Sequence, residues 1–321
     1  MSARRTTRRR VSFAGLASLA SFAALAALAC SKPAPPPVAP TIDAEPSATT
    51  PPSASAAPTV APPEDASARE AEAPPPPDLL SREQVTAAGR ARTYGLRLPR
   101  GYDAKTAYPL VFVFHGDGED GFSLYGYFKF QEASGDAAIL VYPSGEGATW
   151  DLYTPADRNK DIAFVEAMLA QLAGRYSVDR ARVFASGWSN GGFFVNQLAC
   201  RRSALLRGAA SSSGGAPYEP ESPNDKWPNG FTHCPNQAPV PYLAIHGLAD
   251  GTVEPSGGEF SAAYWAYVNG CAGARAVSAP PCEAYAGCKP GKPTTYCPIP
   301  GMGHQIWPQA AKVQWDFFKA L

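Results

Sequence analysis

The residues with the plainest chemical potential lie in Val183–Phe194, "VFASGWSNGGFF". An apolar run breaks into Gly187-Trp188-Ser189-Asn190-Gly191-Gly192 and resumes with Phe193 and Phe194. A serine between glycines at this spacing can stand on a sharp strand-to-helix turn. So tight a turn strains the backbone and brings neighbouring Cβ atoms into conflict, which is why glycines flank it. The partial positive charge at the start of the following helix would favour a developing oxyanion. The competing reading is an ordinary glycine-rich connection.

A serine hydroxyl is a weak nucleophile without a base. The chain has four histidines: His115, His233, His246 and His304. Strand-turn-helix hydrolases run serine, acid, histidine along the chain, which excludes His115. His233 or His246 would leave mainly Glu219, Glu221 and Asp225 as acids, all in an irregular segment with no strand to position them. His304, in "PGMGHQIWP", leaves Asp250, just beyond the apolar run "VPYLAI". Asp316 follows His304 and falls in the last helical pattern. The expected constellation is Ser189 as nucleophile, His304 as general base and Asp250 as its orienting acid. Against it stand a turn-forming role for Asp250 and a packed loop histidine at position 304. Two backbone N–H groups must hold the oxyanion. They are expected from Asn190, after the nucleophile, and from Asp117 of "HGDG". His115 is then structural.

These groups need a scaffold. "YPLVFVF", "AAILVYP", "RVFAS", "GAASSS" and "VPYLAIHG" are short apolar runs suited to buried strands, and "RARTYGLRLP" alternates like an edge strand. Between them, "KDIAFVEAMLAQLAGRY" repeats apolar residues at helical steps, with Asp161 a candidate cap; "EFSAAYWAYV" and "PQAAKVQWDFFKAL" read the same way. Strands alternating with helices predict an α/β fold with a mainly parallel sheet covered on both faces. Ligand sites in such sheets lie beyond the C-terminal strand ends, here after Phe114, Pro143, Ser186, Ser212, Ile245 and Ile299.

The first residues read differently. Five arginines occupy the first ten positions, an apolar stretch follows, and Ala27-Leu28-Ala29 precedes Cys30. Residues 1–29 are therefore expected to be an export signal, resembling a bacterial lipoprotein signal with Cys30 as the lipid-bearing residue. Ordinary cleavage before a free Cys30 and an uncleaved anchor are the alternatives, and the arginine pairs permit a twin-arginine route. Residues 30–78, rich in Pro, Ala and Ser, are expected to be a disordered tether reaching on the order of 140 Å. The folded domain is assigned to 79–321.

Without residues 1–29 the chain keeps 28 − 5 = 23 basic against 28 acidic residues, which excludes the basic stripe of a nucleic-acid binder. Six of the seven cysteines, Cys200, Cys234, Cys271, Cys282, Cys288 and Cys297, fall in the folded part. An even number in an exported chain suggests three disulfides. No C-x-x-C spacing occurs, so neither a metal nor another cofactor is expected.

In order, "FHGDG", "YPSG", Trp150, "FASGWSNGG", "QLAC", "IHGLAD", "NGC" and "GMGHQIWP" resemble the polyhydroxybutyrate depolymerase/feruloyl esterase group of the α/β-hydrolase fold, over about Arg92 to Leu321. The resemblance implies the same three-residue assignment, and it makes Trp150 and Trp307 candidate pocket walls beside the alternative of core packing. It implies the pairs Cys200–Cys234 and Cys271–Cys288, leaving Cys282 with Cys297; Cys271–Cys282 with Cys288–Cys297 is the rival. The position of Asp117 is often a cysteine in that group. The implied activity is that of a serine esterase, which the expected signal and Cys30 would make an exported lipoprotein. Its substrate would be a feruloyl or other aryl ester, an acetylated sugar or a short hydroxyalkanoate ester, with plant cell-wall polysaccharide or polyester as source. Depolymerase or acyltransferase chemistry on the same scaffold, and a non-catalytic surface binding module, are the alternatives. A monomer at the cell envelope is expected.

Overall fold

Runs of apolar residues too short for helices build the centre of one sheet. The structure, a computed structural model, describes residues 80–219 and 222–321. The expected export signal, the lipid-bearing Cys30 and the tether all lie outside the described residues.

The strands are β1 (Ser81–Ala87), β2 (Arg90–Arg97), β3 (Tyr108–Phe114), β4 (Ile139–Pro143), β5 (Val178–Trp188), β6 (Gly208–Ser212), β7 (Tyr242–Gly247), β8 (Arg275–Ala279), β9 (Cys282–Tyr285) and β10 (Thr294–Ile299). They form one sheet in the order β1-β2-β4-β3-β5-β6-β7-β10-β9-β8. From β4 to β10 every neighbouring pair is parallel; the outer strands on both sides are antiparallel. The helices are α1 (Gly121–Phe128), α2 (Phe130–Ser134), α3 (Lys160–Arg175), α4 (Asn190–Arg201), α5 (Pro255–Val268) and α6 (Ala310–Lys319).

The period of two along β3 explains why helices must cover both faces. Leu110, Phe112 and Phe114 enter one core with Ile162, Phe194 and Trp265 of α3, α4 and α5. Val111 and Val113 enter the other with Leu124, Phe130, Trp315 and Phe318 of α1, α2 and α6. Both sets are fully buried.

Two expectations need correction. The run 90–99 is not an edge strand, because β1 pairs with β2 along its whole length, Ser81 opposite Leu96 to Ala87 opposite Arg90. Ala88 and Gly89 connect them with φ of 47° and 76°, the left-handed pair of a two-residue hairpin turn. Asp161 does not cap α3 either. Asn159 does, accepting from the N–H groups of Asp161 and Ile162 at 3.0 Å each. The Asp161 carboxylate is instead buried against Arg92 at 2.7 Å.

All three cysteine pairs are Cys200–Cys234, Cys271–Cys288 and Cys282–Cys297, so the rival connectivity does not occur. The first ties α4 to the segment before β7, and the last ties β9 to β10.

Candidate active site

β5 ends at Trp188 and α4 begins at Asn190, so Ser189 alone makes the turn. Its φ of 51° and ψ of −119° are a conformation L-residues rarely adopt. The flanking glycines are a steric necessity: a Cβ on Gly187 would lie 2.2 Å from the Gly191 carbonyl oxygen, and one on Gly191 2.3 Å from that of Phe114. The Ser189 N–H donates to Ser212 O at 2.9 Å, pinning the turn to the end of β6.

Ser189 Oγ lies 3.0 Å from His304 Nε2, and His304 Nδ1 lies 2.8 Å from Asp250 Oδ2. Asp250 follows β7 and His304 follows β10, and the two loops are sewn together. Leu248 N–H donates to Ile299 O, and Ala249 N–H to Met302 O, at 3.0 and 2.9 Å. Asp250 Oδ1 accepts from the N–H groups of Thr252 and Val253 at 2.9 Å each. Burial alone would raise this carboxyl's pKa. The hydrogen bonds from His304, Val253 and Thr252 outweigh burial, and the net shift is downward, keeping the carboxylate ionised. The Trp188 ring lies against His304, centroids 4.6 Å apart.

The loop after β3 is held from several sides. His115 is buried, with Nδ1 2.7 Å from Gly116 O and Nε2 accepting from Gly145 N–H at 2.8 Å. This pairing puts the proton on Nδ1, and burial lowers the ring's pKa, so His115 stays neutral. Trp150 Nε1 donates to His115 O at 2.9 Å. Gly116 N–H donates to Glu119 Oε2 at 3.0 Å, Tyr127 OH donates to the same oxygen, and Gly118 N–H donates to Ala148 O at 2.8 Å. Asp117 stands exposed between two neighbours whose N–H groups are engaged inward. Asn190 Oδ1 accepts from Trp150 N–H at 2.8 Å, which couples the nucleophile turn to the loop after β4.

Part of the chain is similar in sequence to known proteins. No family model matches it. A probable feruloyl esterase C of Aspergillus clavatus is 29% identical over 248 residues, 71% of this chain and 84% of that protein. The feruloyl esterase C of Emericella nidulans is 32% identical over 187 residues, 56% of this chain and 63% of its own. A solved acetyl xylan esterase from Aspergillus awamori superposes with a TM-score of 0.59 at 18% identity, over 75% of this chain and 100% of that one. The chain has the α/β-hydrolase fold.

In this fold the two tryptophans part company. Trp307 lines a cleft of about 770 Å³ with Trp188, Phe128, Tyr127, Glu119 and Ile306. Trp150 is in the core instead, 3% exposed, stacked on Phe194 with centroids 5.0 Å apart. Its indole N–H needs an acceptor, and the carbonyl of His115 lies behind the β3 loop, so the ring is drawn inward and away from the cleft.

Two participants were not read from the sequence. Glu119 braces the β3 loop, and nothing in "HGDGED" distinguishes it from its acidic neighbours. His246 lies fully buried with Nε2 2.9 Å from Val253 O and 3.4 Å from Asp250 Oδ2. Its four-residue spacing from Asp250 was visible, but only the fold reveals that they meet.

Proposed function

We propose that the chain is a serine carboxylic-ester hydrolase with Ser189, His304 and Asp250 as its catalytic residues. The observation that carries this reading is the continuous hydrogen-bonded line from Ser189 Oγ through His304 to Asp250 Oδ2, at 3.0 and 2.8 Å, ending on a nucleophile held at φ 51°.

Ser189 Oγ attacks the acyl carbon as His304 Nε2 takes its proton. Asp250 fixes the ring tautomer and stabilises the imidazolium. The carbonyl electrons move to oxygen, which the N–H groups of Asp117 and Asn190 hold. Collapse of this adduct breaks the bond to the alcohol oxygen, which receives the proton from His304. Water, deprotonated by the same nitrogen, then attacks the acyl-serine and releases the acid. One oxyanion donor is worth about 3–4 kcal/mol in such sites.

The relatives named feruloyl esterase favour a hydroxycinnamoyl ester as substrate. The aromatic walls of the cleft, Trp188, Trp307 and Phe128, are consistent with that acid. Three disulfides favour an oxidising compartment outside the cytoplasm. In this reading residues 1–29 direct export, and 30–78 tether the hydrolase to a lipid on Cys30.

The test is hydrolysis of methyl ferulate and of p-nitrophenyl esters of graded chain length. Activity, its loss in Ser189→Ala, and labelling of the wild type alone by a serine-reactive phosphonate are expected. Equal inertness of wild type and variant, with no labelling, would overturn the reading.

A further inference from the structure

An oxyanion held by Asp117 and Asn190 needs two N–H groups at one fixed separation. They come from distant parts of the chain, the loop after β3 and the first turn of α4. Such donors stabilise charge best when they do not move as it develops. The loop after β4, residues 144–150, touches both.

On the Asp117 side the loop grips a residue before it and one after it. Gly145 N–H donates to His115 Nε2 at 2.8 Å, and Ala148 O accepts from Gly118 N–H at 2.8 Å. Trp150 adds a third bond, its indole N–H donating to His115 O at 2.9 Å. On the other side, the backbone N–H of the same Trp150 donates to Asn190 Oδ1 at 2.8 Å, and Thr149 Oγ1 lies 3.4 Å from that oxygen. One residue thus gives one N–H to each half.

The bridge is itself anchored at both ends. Ser144 N–H donates to Thr93 O of β2 at 3.1 Å, and Asp151 N–H to Asp161 Oδ2 of α3 at 2.7 Å. Between them the loop is closed so tightly that a Cβ on Gly145 would lie 2.1 Å from Thr149 O. The Trp150 ring fills the gap between the halves. It stacks on Phe194 of α4 at 5.0 Å and meets Phe114, the residue before His115, edge to face at 5.1 Å. Tryptophan combines an apolar body of this size with an N–H that seeks an acceptor when buried. At 3% exposure the ring is withdrawn from substrate, so any effect on the reaction passes through its neighbours.

Resting on the esterase reading, we infer that Trp150 is a positioning residue that sets the separation of the two oxyanion donors, its indole N–H holding the Asp117 half and its backbone N–H the Asn190 half.

Two replacements at position 150 test this in the full chain. Trp150→Phe keeps an aromatic ring and the backbone N–H but deletes the indole donor. Benzothienylalanine keeps the whole shape, with sulfur in place of that N–H. On methyl ferulate both are expected to lower kcat about 10- to 100-fold with KM little changed, because misplacing a catalytic group by about 1 Å costs on that order. Affinity for phenylboronic acid, whose tetrahedral adduct on Ser189 places an oxygen between the two donors, should fall by a similar factor. A packing role alone would lower the melting temperature of the Phe variant and leave the benzothienylalanine protein like wild type. Wild-type kcat and boronate affinity in the benzothienylalanine protein therefore overturn the brace, as does a rise in KM with kcat unchanged. In either case the wild type still cleaves the ester, and the esterase reading stands. A wild type that neither cleaves the ester nor binds the boronate overturns that reading and the brace with it.

Discussion

His246 Nε2 lies 3.4 Å from Asp250 Oδ2, the same oxygen that meets His304 Nδ1 at 2.8 Å. Two histidines thus share one carboxylate oxygen, but they are not equivalent. Only His304 reaches Ser189, and His246 turns its Nε2 to the Val253 carbonyl at 2.9 Å. Gly258 closes over the other face of His246, since a Cβ there would lie 2.4 Å from Nδ1. His304→Ala should therefore lower kcat/KM by about 10⁴ or more, as should Ser189→Ala. Because the two act as one unit, the double variant should be no worse than the worse single. Additive losses in steady-state kinetics on methyl ferulate would mean that the two residues act independently.

Asp250→Asn tests orientation separately from charge. One carboxylate oxygen accepts from the Thr252 and Val253 N–H groups, and the other receives His304 Nδ1. An amide cannot accept on both sides. Either its NH₂ faces two N–H donors, or it faces His304 and favours the wrong tautomer. The expected result is a fall in kcat of about 10⁴ with KM little changed. A KM effect alone would contradict the assigned role.

Much of this arrangement was legible because each part rests on a local rule. Ser189 was readable from glycines whose Cβ atoms would collide with backbone, and His304 and Asp250 from the order of groups beyond strand ends. The parallel centre followed from apolar runs such as Leu110–Phe114. The β1–β2 hairpin was not readable: "QVTAAGRART" lacks the usual turn pair, and Ala88 takes φ of 47° there. The core position of Trp150 was equally hidden, because it depends on His115 O lying 2.9 Å from its indole nitrogen, 35 residues away in the chain. Glu119 acquires its partners, Gly116 N–H and Tyr127 OH, only once the chain is folded.

Stability should decline on acidification in two stages. His115 and His246 are buried, and burial lowers both pKa values below the ordinary 6.5. As the pH falls, the unfolded chain takes up these protons before the folded one does. Their contribution is therefore complete above about pH 6.5 and is lost progressively below it, through the folded values. For Asp120 and Asp250 the folded pKa lies below the ordinary 3.8, Asp120 chiefly through the Ser123 N–H. Their contribution is present above that value and lost as the pH falls through the folded one. The melting temperature should be level above about pH 7, fall below about 6.5 and fall again below about 4. His115→Asn should flatten the first decline in scanning calorimetry. A melting temperature constant between about pH 7 and pH 5 would contradict the buried neutral state of both rings.

The buried pair Arg92–Asp161 offers the sharpest stability test. Their side chains are 7% and 6% exposed, 2.7 Å apart. Arg92 also lies over the Phe164 ring at 4.2 Å, and Asp161 Oδ2 accepts from Asp151 N–H at 2.7 Å. The pair thus links β2, α3 and the loop leading to Tyr153. Two charges out of water are held by each other, so removing one leaves the other uncompensated. Asp161→Asn should cost about 3–5 kcal/mol in urea unfolding, with an unchanged denaturant slope. Arg92→Met combined with Asp161→Leu removes both charges and should recover part of that loss, though Asp151 N–H still lacks its acceptor. A double variant as unstable as the sum of Arg92→Met and Asp161→Leu measured singly would show that the charges do not compensate each other, and that the cost lies in packing around Phe164 instead.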